Sequence, residues 1–222
     1  MSPHRSENAK MYDNSRMYDN SIMYGKSEMH GNSEMHGYSR MYGNSEMHSY
    51  SRMYGTNQMY DNSKMYGHSR MYDNSVMYDN SEIHGYSRLY GNSEMRGCSR
   101  MHGNSEMHGD GIATHPSHIV CADMVGDECS CLTVHPDTEI GIRVNRGCFS
   151  GTVEEFLDAV AEKPKNNPWR KLYPQILCGL VSTVAKMLKL YPISEVPMYK
   201  VEESIKILEQ SAERITDAMP SM

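Results

Sequence analysis

The chain has 222 residues and carries 22 Lys and Arg against 28 Asp and Glu, a net charge of −6, which leaves room for one or two domains and excludes a broad basic face for nucleic acid. It holds 21 Met and 16 Tyr but only four Leu, Ile, Val or Phe residues (Ile22, Val76, Ile83, Leu89) in its first 110 positions, so an ordinary mixed core is excluded there. Met1 to Lys10 lacks the apolar stretch of a secretory signal and no run reaches the roughly 18 apolar residues of a membrane span, so no membrane partner and a cytoplasmic location are expected, with the six Cys as reduced thiols.

Residues 1–10 read as a polar N-terminal segment. From Met11 the chain repeats every six residues, MYDNSR, MYDNSI, MYGKSE and onward to MHGDGI, seventeen units ending at Ile112. The first position is Met in fifteen units and Ile83 or Leu89 in the others; the fifth is Ser in fifteen, with Asn57 and Gly111 as exceptions. The third is Gly, Asp or Ser49 throughout, and the fourth is Asn in nine units, so this pair supplies residues that tolerate positive φ and forms a corner. Between corners run four residues of period-two alternation, with Ser and Met facing one way and the charged residue and ring the other. Gly or Asp in nearly every unit, on a six-residue period, excludes a helix. Low aliphatic content makes disorder the rival reading, but seventeen in-register units with constant corner chemistry fit stacked strands better.

This hexapeptide, large and apolar at its first position and small at its fifth, resembles the left-handed parallel β-helix of the hexapeptide-repeat proteins. The resemblance implies a mainly β fold in which three units make a triangular coil of 18 residues; seventeen units then give about five and two-thirds coils rising about 4.8 Å each. A flat coil of twelve residues is the geometric alternative. In the triangular coil the outward rings sort into three ladders: Tyr24, Tyr42, Tyr60 and Tyr78 closed by Arg96; Tyr12, His30, His48, Tyr66, His84 and His102; and Tyr18, His36, Tyr54, Tyr72, Tyr90 and His108. They can simply shield the strands, or one can bind another flat object such as a protein surface or a glycan. The Tyr24, Tyr42, Tyr60, Tyr78 and Arg96 face is the first candidate binding face, because its companion column, Ile22, Arg40, Gln58, Val76 and Glu94, is the least charged. With Thr56 as the one Thr of the repeats, an ice-binding face is disfavoured. Neighbouring His pairs make at best two-ligand metal sites, and the inward Met column reads as core filling. Enzymes of the class are acyltransferases that use a catalytic His, a loop thrown out of the coil and usually a neighbouring subunit. Here no loop interrupts the units, and the six His follow the repeat instead of marking one place.

After Ile112 the composition turns to Leu, Ile, Val and Pro, and residues 113–222 are expected to form a small α+β module that caps the solenoid. His118 to Val125, Cys129 to Val134 and Glu139 to Asn145 read as a three-stranded antiparallel sheet within about 118–145. Helices are expected over about 152–163, 168–190 and 201–219. The first is announced by Thr152 and Glu155 as a capping box, with Phe156, Leu157 and Val160 on its apolar face; the last carries Ile205, Leu208, Ala212 and Ile215 on one stripe. Gly-Cys-Phe-Ser-Gly-Thr-Val-Glu-Glu-Phe at 147–156, after the Ile140 to Val144 strand and the corner-Asn solenoid, is similar to a G-C-F-x-G-T-x-E-E-F motif of uncharacterised phage and prophage-type proteins. That resemblance covers about residues 11–180 and implies no biochemical role. It departs in having Met with Ser where the group has Val or Leu with Ala, and in lacking a Gly-Ser-Arg turn near Val125.

His115, His118, Cys121, Cys129, Cys131, His135 and Cys148 supply soft ligands within 34 residues, but not as paired CxxC motifs. Cys121, Cys129, Cys131 and His135 stand as disfavoured zinc candidates, since strand alternation puts Cys129 and Cys131 on one face, where both read as buried small side chains. Cys148 as a nucleophile has Arg146 as its one nearby cation, so packing with Phe149 under the sheet is preferred. Taken together, the expectation is a non-catalytic binding or scaffold protein with an unknown protein partner, no cofactor and possible homo-oligomers. The alternatives are a hexapeptide-type acyltransferase and a self-assembling structural repeat.

Overall fold

The computed structural model describes residues 2–125, 130–164 and 166–217. The chain divides into two units, Met1–Ser117 and His118–Met222.

The first unit is a parallel β-solenoid. Each hexapeptide contributes a two-residue strand, such as Glu28–Met29 or Arg40–Met41, and each strand up to Glu94–Met95 pairs in parallel with the one 18 residues on, as in Arg40↔Gln58 and Met41↔Met59. That register fixes three units per coil and overturns the flat twelve-residue coil. The strands stack into three sheets, one of seven and two of six strands, giving about six coils. Hydrogen bonds run from one coil to the next, for example Tyr42 N–H to Met59 C=O at 2.8 Å and Tyr60 N–H to Met77 C=O at 2.9 Å.

Corner chemistry makes this possible. Every described third-position residue from Asp13 to Gly109 has positive φ, including Asp19 at 59° and Ser49 at 61°. Gly is favoured for a second reason: a Cβ on Gly37 would lie 2.7 Å from the carbonyl oxygen of Gly55 in the next coil. Asp at this position earns its place by capping, since Asp13 accepts from Gly31 N–H, Asp19 from Gly37, Asp73 from Gly91 and Asp79 from Gly97, at 2.9–3.1 Å. The fourth-position Asn does not take positive φ. Its amide instead bonds its counterpart one coil away, as in Asn44 to Asn62 at 3.1 Å and Asn62 to Asn80 at 3.3 Å. The corner therefore needs one left-handed residue per turn, and Asn is placed for cross-coil bonding.

Inside, the inward Met residues from Met23 to Met107, together with Ile83 and Leu89, are at most 1% exposed. An unbranched thioether reaches the axis and adapts to its neighbours, while the small buried Ser beside it leaves room; Ser21, for example, donates to the Tyr18 carbonyl at 2.7 Å. Where Asn57 replaces Ser, its Nδ2 donates to Met71 C=O at 3.1 Å and its Oδ1 accepts from Ser75 at 2.9 Å, so the buried amide is paired. The described part of the polar segment, residues 2–10, belongs to the solenoid: His4–Arg5 pairs with Ile22–Met23, and Ala9 is buried at the fifth position of a degenerate unit, Arg5 to Lys10. Lack of a first-position Met hides that unit in the sequence, because Arg5 stands exposed where the core residue would be.

The second unit has a four-stranded antiparallel sheet, Val120–Val125, Ser130–Asp137, Gly141–Arg146 and Phe149–Gly151, one strand more than expected. The extra strand arises because Gly147, at φ 55°, and Cys148 form a two-residue hairpin turn that pairs Arg146 with Phe149. Helices α1 (Val153–Ala161), α2 (Trp169–Leu190) and α3 (Met198–Asp217) follow. The Thr152 capping box is formed in both directions, Glu155 N–H to Thr152 Oγ1 at 3.1 Å and Thr152 N–H to Glu155 Oε2 at 2.8 Å. The core joins Leu132, Val134, Ile142 and Val144 of the sheet to Phe156, Val160, Tyr173, Leu177, Val181, Val184 and Leu188. On α3 the buried stripe is Val201, Ser204 and Leu208, with Ile205 half-buried; the expected extension to 219 lies partly outside the described residues. Among the described residues no helix is long and apolar enough to cross a membrane.

Candidate functional site

The three expected ladders are present. Tyr24, Tyr42, Tyr60 and Tyr78 stack with centroids 4.9–5.6 Å apart and planes within 15°. Below them His4 tilts against Tyr24 at 5.7 Å. Arg96 continues the column, its Nε donating to Glu94 Oε2 at 2.8 Å. Burial pushes the Tyr60 phenol up, helped by its neighbours Tyr42 and Tyr78, and its hydroxyl donates to Gln58 Oε1. Since each ring face is covered by the next ring, the surface displays edges and hydroxyls. Stacking of a sugar ring on an aromatic face, the geometry by which rings usually hold glycans, has no free face within such a column.

The other two ladders are continuous over six rings each. Tyr12, His30, His48, Tyr66, His84 and His102 are spaced 4.5–4.9 Å apart, and Tyr18, His36, Tyr54, Tyr72, Tyr90 and His108 are spaced 4.3–5.5 Å apart. A pairing rule links each ring to the strand residue two before it. Five of the six His follow Glu, as in Glu28-Met29-His30 and Glu46-Met47-His48, and seven of the ten Tyr at this position follow Lys or Arg, the exceptions being Tyr24, Tyr60 and Tyr78. Residues i and i+2 share a face of a strand, so the rule becomes contact: His48 Nε2 lies 2.8 Å from Glu46 Oε2 and His84 Nε2 3.1 Å from Glu82 Oε2. Bridges between coils complete the network, Lys64 to Glu46 at 3.1 Å and Arg100 to Glu82 at 3.1 Å. Burial alone would raise the Glu46 carboxyl, but hydrogen bonds from His48 and Lys64 outweigh it and hold the group below its usual range; His108 and Arg88 do the same for Glu106. His102 breaks the rule by following Arg100, and burial first, then His84 and Arg100, depress its pKa.

A fourth, shorter ladder was not anticipated. Tyr50, His68 and Tyr86 stack at a corner with centroids 4.9 and 4.8 Å apart and planes within 2°. Writing the fourth positions out at 18-residue intervals brings the three into line, so the signal was in the sequence but lay in the column read as turn.

The disfavoured zinc candidates of the second unit are placed as follows. Among the described residues no group of three or more His, Cys, Asp or Glu is placed to hold a metal. His135 is fully buried, its Nδ1 2.9 Å from the Pro136 carbonyl and its Nε2 2.8 Å from Asn145 Nδ2. The ring therefore donates through Nδ1 and accepts at Nε2, a neutral and structural role. Cys121 is exposed and Cys131 half-buried. Proximity of the two thiols pushes Cys131 up, with burial adding to it, and holds Cys121 down, while Cys131 Sγ lies 3.4 Å from Thr133 Oγ1. Cys129 lies outside the described residues. Cys148 is exposed on its hairpin turn, not packed under the sheet, because the turn holds it clear. Asp137, fully buried, accepts from Arg143 Nε at 2.6 Å and from the Glu139 and Ile140 amides, which hold it below the usual carboxylate range against the upward push of burial.

Comparison with known protein families, curated proteins and solved structures found no match for this chain.

Proposed function

We propose that the protein is a non-catalytic binding scaffold that presents the Tyr24, Tyr42, Tyr60 and Tyr78 face, edged by Arg96, to a protein partner. The observation that carries the reading is the contrast between faces. On the other two, most outward charges are engaged in Glu–His dyads and cross-coil bridges, whereas this one sets aliphatic Ile22 and Val76 and neutral Gln58, with the one cation Arg40 among them, beside a run of phenols. Rigid phenols give amphipathic contact area at small entropic cost, which suits a protein interface. The left-handed coil and a phage association are what the sequence resemblances add to this reading.

The acyltransferase alternative asks for one imidazole in a distinguished setting, and repetition makes the Glu–His dyads equivalent. The self-assembling alternative asks for a stackable end. The N-terminal coil offers a depression of about 410 Å³ lined by Pro3, His4, Arg5, Met11, Ser15, Arg16, Met17 and Tyr18. Pro and exposed cations on edge strands oppose pairing with another edge.

The test is affinity capture from host lysate with wild type, with Tyr42→Ala/Tyr60→Ala, and with Tyr54→Ala/Tyr72→Ala on another face. A partner retained by wild type and the last variant but lost by the first supports the reading. Equal retention by all three refutes it.

A further inference from the structure

One column of the solenoid is assembled against its own electrostatics. On the face carrying Tyr18 to His108, the strand residues are Arg16, Glu34, Arg52, Arg70, Arg88 and Glu106, so three Arg occupy consecutive coils in direct register, Arg52↔Arg70↔Arg88. Like charges directly opposite in a sheet are destabilising. The outer two are paired away from the centre: Arg52 Nε lies 3.1 Å from a Glu34 carboxylate oxygen, an ion pair without hydrogen-bond geometry, and Arg88 Nη1 donates to Glu106 at 2.7 Å. Those carboxylates also receive His36 and His108, each at 3.4 Å. Arg70 between them has the Tyr72 hydroxyl, 3.3 Å from its Nη1, as its hydrogen-bond partner.

We propose that Arg52, Arg70 and Arg88, with the Tyr72 hydroxyl, form a binding site for an oligophosphate. With Tyr72 Oη accepting from Arg70, the phenol proton is left to donate to an incoming anion. The guanidinium fork is suited to phosphoryl oxygens, and its weak hydration lowers the cost of docking them. Ring centroids beside the column are 5.5 Å apart for Tyr54 and Tyr72 and 4.8 Å for Tyr72 and Tyr90. Alternate phosphoryl groups of an extended chain recur on a similar spacing, so one ligand can answer two or three guanidinia at once. An anion seated here also relieves the repulsion that the bare column carries. This site lies on a different face from the one proposed for the protein partner and does not depend on it.

Sodium tripolyphosphate, titrated calorimetrically into the full chain, is the probe. Wild type is expected to bind it saturably, more weakly as salt is added, and at least about tenfold more tightly than orthophosphate. Arg70→Gln should lose about tenfold or more in affinity, Arg70→Lys less, and Lys26→Gln, at an exposed corner, nothing. The thermal midpoint of unliganded Arg70→Gln should equal or exceed that of wild type, since a repulsion is removed. No saturable binding, an equal response to orthophosphate or to a single-stranded oligonucleotide, an unchanged affinity in Arg70→Gln, or a lowered midpoint in that variant would each overturn the proposal.

Discussion

Replacing Met59 by Ala probes how the solenoid holds together. Met59 is fully buried, in register between Met41 and Met77, so the loss of its side chain opens a void with rigid coils on both sides. Buried Met→Ala changes cost about 2–5 kcal/mol, and poor collapse of the site places this one at about 3 kcal/mol or above. Met17 holds the same position in the repeat but lies on the first coil, pairs with Met35 alone and is only half-buried. Its truncation removes a side chain already in partial contact with water and should cost about 1 kcal/mol. Met59→Leu, nearly volume-conserving, should cost less than about 1.5 kcal/mol, in keeping with Leu89 and Ile83 at equivalent inward places. Urea denaturation followed by circular dichroism measures all three. Equal losses for Met17→Ala and Met59→Ala would refute the argument that coil-to-coil packing of the thioethers stabilises the stack, as would a loss below about 1.5 kcal/mol for Met59→Ala.

Three more outcomes follow from the bonds described. Glu46 and Glu106 are held below the ordinary Glu pKa in the folded chain, so the stability they contribute is complete above that value and is lost as pH falls through the folded one; between about pH 5 and pH 3 wild type should lose more stability than Glu46→Gln/Glu106→Gln, and parallel curves would contradict this. Thr152→Ala removes one half of the capping box and should destabilise the protein by about 1 kcal/mol, read by thermal denaturation, with Thr152→Ser nearly restoring it. Asn145→Ala strips the buried His135 Nε2 of its donor and should cost about 1–3 kcal/mol; a neutral outcome in urea denaturation would show that the pair is not needed to satisfy the imidazole.

Much of the solenoid was legible from single residues. Met against Ser on a six-residue period, with Gly or Asp after each ring, determined that strands alternate with left-handed corners, because few residues tolerate positive φ and the inward side chains must be uniform for coils to stack. Taken with the eighteen-residue coil that the resemblance implies, it also sorted Tyr24, Tyr42, Tyr60, Tyr78 and Arg96 into one column. Thr152 and Glu155 announced the start of α1, since a capping box is a contact between residues three apart. What the residues alone left open was the length of the coil and most of the contacts made across coils or between strands. Only the register chose eighteen residues per coil over twelve. Only stacking showed that the rings cover one another's faces, and that fourth-position Asn serves an amide ladder and not the turn itself. His135 stood among disfavoured zinc candidates, and only the fold gave it a partner in Asn145, ten residues on in the neighbouring strand. Arg70 is an unremarkable residue of one repeat; its unneutralised charge exists because parallel stacking sets Arg52 and Arg88 on either side of it.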